Sequence, residues 1–375
     1  MKITIVLGAF FPVPPRMGGG VEKVWFTLAP EFAKRGHEVV MLSRKTPELP
    51  KQETIDGVLH VRVDGFDTPR SLVWLKFLDL IYSLRARRVL PPADLIVTNT
   101  FWLPMLLRDA TRGKVYVHVA RYPKGQMRLY RRAARLQAPS QAIADQISKE
   151  ASQLADKVVA IPNPVTTVAQ SPPLLSQRDK IILFVGRVHP EKGVHVLVEA
   201  FVAGAQAAFA DWKLMIVGPV ETKLGGGGDS YRLSLERLKG DAEDKITFTG
   251  AVFDPVKLAQ IYRAAPLFIY PSLSERGESF GLAPLEAMAH GCAVIVSNLA
   301  CFRDFIRDGE SGFVFEHGAP QIAEALRQKM ENVIGNQSTM ERVAATGHAK
   351  SQGFSPERIA ERFLEDFTSL VHTHV

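Results

Sequence analysis

Two cysteines stand in the whole chain, Cys292 and Cys301. No Cys-x-x-Cys and no paired histidines lie near them, which excludes a disulfide framework and a structural zinc site and fits a reducing cytoplasm. No apolar run approaches the roughly 18 residues that span a bilayer, and the first apolar run, Ile3 to Leu7, is too short for a signal peptide. An Asp-x-Asp pair, the common means of holding a metal against a diphosphate, does not occur. Nor is there a Gly-x-Gly-x-x-Gly turn with an acidic residue at the next strand end, so a dinucleotide fingerprint is not supported. What is present is ordinary globular material. The 375 residues suit two domains, 46% of them are apolar and 23% charged, and Gly 28 with Pro 24 is far from low complexity.

The net charge of +7 is unevenly placed. Up to Val165 the chain carries 25 basic and 14 acidic residues; the remainder carries 21 and 25. Arg121, Lys124, Arg128, Arg131, Arg132 and Arg135 fall together without one acidic neighbour, and Arg85, Arg87 and Arg88 form a second knot. Such clusters attract phosphates or anionic lipid headgroups, or serve simply as a solvated face. Nucleic acid is not expected, because no helix-turn-helix, zinc-finger or RNP-like signature organises base readout and the aromatics do not interleave with the basic run.

Short β-branched runs alternate with amphipathic stretches in both halves, the α/β pattern. Strands are expected at 2–7, 38–43, 58–63, 94–98 and 115–119, with helices near 21–35, 71–88, 101–110, 127–134 and 141–153. Proline punctuation at Ile161-Pro-Asn-Pro164 and Ser171-Pro-Pro173 marks a linker. The pattern then restarts with strands at 181–185, 213–217, 245–249, 267–270 and 293–296 and helices near 193–208, 230–239, 255–264, 283–289 and 302–307. The expectation is two Rossmann-like doubly wound lobes facing a central cleft, residues 1–165 and 166–355, with ligands at the carboxyl ends of the strands. Residues 72–84, an apolar helix ahead of Arg85-Ala-Arg-Arg88, read either as a membrane-surface anchor or as a buried helix; apolar residues on nearly every side favour the buried reading.

Three stretches at those strand ends carry chemistry. Gly18-Gly19-Gly20 precedes a helix, where backbone amides and the helix dipole favour an anion; a merely flexible loop is the other reading. Gly186-Arg187 closes a strand and is followed by Pro190-Glu-Lys-Gly193, so that Arg187 and Lys192 can grip a diphosphate from one turn. Cations at a helix N-terminus oppose the dipole, which argues for a ligand there. In the third stretch Glu278 lies in a loop after a strand and Glu286 follows within a helix. Carboxylates accept pairs of hydroxyl hydrogens and so suit a sugar or ribose. Ser279, Phe280, Gly281 and Leu282 between them can offer backbone amides to a phosphate.

With these motifs assembled, the chain resembles the family 4 retaining glycosyltransferases of GT-B fold, most strongly from Phe184 to Phe315. The shared elements are Gly186-Arg-x5-Gly193, the Glu278-x7-Glu286 pair, Glu286-Ala-Met-Ala-x-Gly291, and Asp308-Gly-x2-Gly312 before a last strand. The resemblance implies that Arg187 and Lys192 hold the donor diphosphate, Glu286 the nucleotide ribose and Glu278 the transferred sugar. It further implies that Gly19 and Gly20 approach the donor phosphates, that His118 contacts the donor sugar, and that no metal or other cofactor is needed, the nucleoside diphosphate sugar being a co-substrate. The last helix, within residues 356–375, is implied to pack back on the first lobe. His189 adjoins the phosphate turn and is a further candidate for contact with the donor. Leu299-Ala300-Cys301 departs from the Gly-Gly-acid pattern of many relatives.

The implied activity is transfer of a hexosyl unit from a UDP- or GDP-sugar to an acceptor hydroxyl with retention, by front-face attack, in glycan, polysaccharide or glycolipid synthesis. A glycan, a lipid-linked or a small-molecule acceptor fits; the compact arginine-rich segment after His118 leaves little room for a bulky protein. The basic first half extends the reading to peripheral contact with an anionic membrane at its inner face. Two alternatives remain at this stage: a sugar-nucleotide epimerase or hydrolase using the same grip, and a non-catalytic nucleotide-sugar-binding subunit.

Overall fold

The protein is described by a computed structural model covering residues 1–69, 71–108, 112–165 and 171–372. The chain divides into two units, Met1–Thr166 with Pro356–Val375, and Thr167–Ser355. The expected linker includes 166–170, which lie outside the described residues.

In the first unit the strands are β1 (Lys2–Val6), β2 (Glu38–Lys45), β3 (Gln52–Ile55), β4 (Val58–Asp64), β5 (Leu95–Thr98), β6 (Lys114–His118), β7 (Arg135–Ala138) and β8 (Val158–Ala160). Its first helices are α1 (Gly20–Lys34), α2 (Leu72–Val89), α3 (Leu103–Leu106) and α4 (Gln141–Glu150). The sheet order is β3-β4-β2-β1-β5-β6-β7-β8, parallel except where β3 pairs antiparallel with β4. Chain order reverses between β1 and β5, the switch point at which an open α/β sheet leaves room for ligands. The second unit has β9 (Ile181–Val185), α5 (Val194–Gly204), β10 (Lys213–Val217), α6 (Gly228–Leu238), β11 (Ile246–Gly250), α7 (Pro255–Ala264) and β12 (Leu267–Tyr270). Then come α8 (Leu282–Ala289), β13 (Ala293–Ser297), β14 (Phe313–Phe315), α9 (Ile322–Ile334) and α10 (Gln337–Ser351). The order β11-β10-β9-β12-β13-β14 is parallel throughout and reverses between β9 and β12.

The final helix, α11 (Pro356–His372), returns to the first unit. Ile359, Ala360, Phe363 and Phe367 are fully buried at helical spacing. Phe363 meets Trp25 at 5.2 Å and Phe367 meets Phe32 at 5.7 Å and Tyr116 at 4.9 Å between ring centroids. Asp366 pairs with Arg135 at 2.7 Å beside them. Each buried phenylalanine contributes up to about 3 kcal/mol of apolar transfer free energy.

Several elements depart from the sequence pattern. β3, β7 and β8 were not expected, nor were α9 and α10. β3 is a solvated edge strand that pairs with β4 through Asp56 (φ 50°) and Gly57 (φ 81°), a two-residue turn with both central residues at positive φ. β7 occupies the end of the basic run, and the helix expected at 127–134 is one 3₁₀ turn, Met127–Tyr130. The helix expected at 302–307 is likewise a 3₁₀ turn, Ala300–Phe302. Of the helix expected at 101–110, α3 is the described helical part, and 109–111 lie outside the described residues. α2 forms where expected but is not buried: Leu72, Val73, Trp74 and Phe77 all stand exposed.

Candidate functional site

In the second unit the loops after β9 and β12 flank the switch point, and they carry the residues singled out from sequence. The β9 loop passes through Gly186 and Arg187 to a single 3₁₀ turn, Pro190–Lys192, capped by His189 Nδ1, which accepts from the Glu191 amide at 3.3 Å. Gly193 then lies at φ 68° with a Cβ position 2.0 Å from the carbonyl oxygen of Pro271. Any side chain there would force the two loops apart, so the glycine sets the close approach of Lys192 to the β12 loop. The Glu191 carbonyl fixes the same junction, accepting from the Leu273 amide at 2.9 Å, with Ser272 Oγ 3.3 Å away.

Lys192 Nζ donates to Glu278 Oε2 at 2.6 Å, and Ser272 Oγ donates to the same oxygen at 3.0 Å. Lys192 is buried and Glu278 nearly so, and the ammonium also lies 5.5 Å from the Tyr270 ring centroid. Burial alone would lower the Lys192 pKa; Tyr270 and Glu278 outweigh it and hold the ammonium above its ordinary range. Arg187 is placed by two acceptors, donating to Glu191 Oε1 at 2.5 Å and to the Gly225 carbonyl at 2.8 Å. Glu191 in turn, although burial opposes it, is held below the usual carboxylate range by Arg187, Lys192 and His189. Each cation thus keeps a defined position against an internal carboxylate.

Glu286 is buried in α8, where Tyr262 donates to Oε2 at 3.3 Å. Gly281 caps α8 at φ 95°, and Leu282 is its first residue. Phe280 has its side chain in an aromatic cluster, 5.2 Å from Phe305 and 6.2 Å from Phe354, which leaves its backbone as the part able to meet a ligand. Ser279 precedes it in the same loop. Cys301 is buried, with burial pushing its thiol well above the ordinary value. Asp308-Gly-x2-Gly312 is a turn: Gly309 donates to the Gly312 carbonyl at 2.9 Å and Asp308 Oδ1 accepts from Val314 at 2.8 Å.

In the first unit Gly19 is the N-cap of α1 at φ 98° and Gly20 its first residue. The Glu22 carboxylate folds over Gly19, its Oε2 only 2.3 Å from where a Cβ would stand. Burial raises this carboxyl to about 7, its own backbone amide and Arg121 opposing the shift. Glu22 was not singled out from sequence; the only signal was an acid in the first turn after the triple glycine. His118 ends β6, fully buried, with its ring edge on Trp25 at 5.4 Å. Gln137 Nε2 donates to the Ala138 and Ile161 carbonyls at 2.8 and 2.6 Å, so its Oε1 is free to accept from His118 Nδ1. That places the proton on Nδ1 and leaves Nε2 as an acceptor. Burial pushes His118 down to about 4, so the ring is neutral at physiological pH.

Among the described residues no group of three or more His, Cys, Asp or Glu side chains is arranged to hold a metal, and no helix is long and apolar enough to cross a membrane.

Comparisons with known proteins agree with this architecture. Residues 18–168 match the family described as Glycosyltransferase Family 4 and residues 168–349 the family described as Glycosyl transferases group 1. The phosphatidyl-myo-inositol mannosyltransferase of Mycobacterium leprae is 29% identical over 387 residues, covering 99% of this chain and 97% of that protein. Sucrose-phosphate synthase from Thermosynechococcus elongatus superposes with a TM-score of 0.77 at 20% identity, covering 100% of both chains. Anabaena HepE, solved with UDP-glucose, gives 0.71 at 20% identity over 98% of this chain and 100% of that one. The fold is that of the GT-B glycosyltransferases. The chain belongs to the family 4 glycosyltransferases and is a glycosyl-transferring enzyme.

Proposed function

We propose that this enzyme transfers a hexosyl unit from a UDP- or GDP-sugar to an acceptor hydroxyl with retention of configuration, in glycan, polysaccharide or glycolipid synthesis. The observation that carries the reading is the pair of preorganised cations, Arg187 and Lys192, at the switch point of the second sheet. Breaking the glycosidic bond leaves a nucleoside diphosphate whose charge must be stabilised as it develops. Fixed cations in a partly dry site do this without reorganising during reaction. Glu278 is the candidate contact to the transferred sugar and Glu286 to the ribose. Gly186 and the stretch Ser279, Phe280, Gly281 and Leu282 supply backbone to the donor. In the first unit Gly19, Gly20 and His118 are the candidates for the same donor, with His118 Nε2 suited to accept a sugar hydroxyl. Glu278 and Glu286 are engaged by Lys192 and Tyr262, which supports binding roles over attack on the anomeric carbon. The acceptor hydroxyl then attacks from the face of the departing phosphate, which takes its proton.

The mycobacterial relative's name supports trying a phosphatidyl-myo-inositol acceptor first, and the basic first unit supports working beside an anionic membrane. A cytoplasmic protein that needs no metal completes the reading. The test is incubation with UDP-glucose and GDP-mannose, with and without an inositol-based acceptor, and analysis of the product's anomeric configuration. A retained linkage formed only with acceptor supports transfer. Turnover of the donor without acceptor at the same rate would favour a hydrolase or epimerase.

A further inference from the structure

α2 is folded inside out. Its inward face carries Asp79, Tyr82, Ser83 and Ala86, all buried, and Asp79 accepts from the Phe101 and Trp102 amides at 3.1 and 3.2 Å. Its outward face carries Val73, Phe77 and Leu84, exposed by 78, 49 and 41%. With the half-buried Leu80 they recur at helical spacing, i, i+4, i+7 and i+11, as a core-facing stripe would. At the helix start Leu72 and Trp74 add 76 and 58% exposure. Single exposed apolar side chains need no explanation, but a contiguous stripe marks an interaction surface.

Charge identifies what that surface meets. Arg87 and Arg88 stand exposed at the far end of the same helix. Beside the stripe, Lys76 places its ammonium 4.7 Å from the Phe101 ring centroid, and Tyr130 donates to the Phe101 carbonyl at 3.1 Å. Through Phe101 the helix is therefore joined to the 3₁₀ turn Met127–Tyr130, where Leu129 is 50% exposed between Arg128 and Arg131–Arg132. Among the described residues no carboxylate pairs with Arg87, Arg88, Arg131 or Arg132. Arg85 does not join them: it donates to the Asp64 carbonyl at 2.8 Å and lies over Phe66. A second copy of this chain seated on the face would bring like charges together. An anionic bilayer presents an apolar layer beneath negative headgroups, which answers both halves of the surface.

We propose that the outward stripe of α2, with Leu129 and the flanking arginines, docks the first unit on an anionic lipid surface, Trp74 and Phe77 entering the acyl boundary. This rests on the reading that the enzyme works beside a membrane and names the surface that touches it. The test is co-sedimentation with phosphatidylcholine vesicles, plain or containing roughly one-third phosphatidylglycerol, for the full-length protein and the double variant Trp74→Ser, Phe77→Ser. Both side chains are solvent-exposed, so the variant retains its fold, checked by its thermal transition. The expected result is binding to anionic vesicles, weakened by salt, at least tenfold weaker in the variant, with the tryptophan emission moving to the blue only in the parent protein.

Equal sedimentation of parent and variant would overturn the proposal, as would no binding by the parent. So would a dimer in solution that the variant abolishes, since the face would then belong to a second copy. Stabilisation by UDP or GDP is measured on the same samples. If it persists while vesicle binding is absent, the docking surface alone is wrong; if it is absent from folded protein that still binds vesicles, the donor reading is what fails.

Discussion

Lys192 and Arg187 owe their positions to acidic neighbours, and this shapes what their removal does. Arg187→Ala and Lys192→Ala are each expected to lower kcat by about 10²- to 10³-fold, the cost of losing one charge-stabilising donor, with native circular dichroism. Lys192→Ala should also be the less stable of the two, because Glu278, nearly buried, is left without its cation. Near-normal turnover in both would remove the assignment. Glu22 gives a pH-dependent expectation. Its carboxyl titrates near 7 when folded against 4.5 unfolded. The folded chain therefore holds the extra proton between those values, and stability present at pH 4.5 is lost as the pH rises through 7. The thermal midpoint of Glu22→Gln should gain on that of the parent across this window; a difference independent of pH would contradict the burial argument. Strand-end position and residue type made Arg187, Lys192, Glu278 and Glu286 legible in the sequence. The part played by Glu22 or Glu191 was not, because it depends on burial and on contacts that spacing alone does not reveal.

At the scale of elements, α11 completes the core of the first unit although it follows the whole of the second. Phe363→Ala removes a fully buried ring that touches Trp25 and Tyr116, and a loss of about 3–5 kcal/mol is expected. In urea unfolding only the first unit's transition should move. An unchanged midpoint, or a shift confined to the second unit, would contradict the packing described. The strands flanking both switch points were readable as short apolar runs. β7 was hidden in a basic run because a four-residue strand offers too little pattern to outweigh its charged surroundings. β3 was readable in principle, since Asp56-Gly57 is a hairpin signal, but its polar edge residues lack the alternation that marks a strand. α2 misled for a different reason: Leu75, Leu78 and Ile81, all half-buried, lie outside the open stripe, so apolar residues on nearly every side give the weak periodicity of a helix buried all round.

For the whole molecule, the chain pairs a basic first unit with a second unit that places two cations at the carboxyl ends of its strands. Binding of a nucleoside diphosphate by those cations is measured by thermal stabilisation with UDP, GDP and ADP in the presence of a chelator, for the parent and for Lys192→Ala. Selective binding to the folded state raises its apparent stability by mass action. One of UDP or GDP should raise the melting temperature of the parent at millimolar concentration, with the shift largely lost in the variant. No shift with any nucleotide, or an equal shift in both proteins, would contradict binding by those cations.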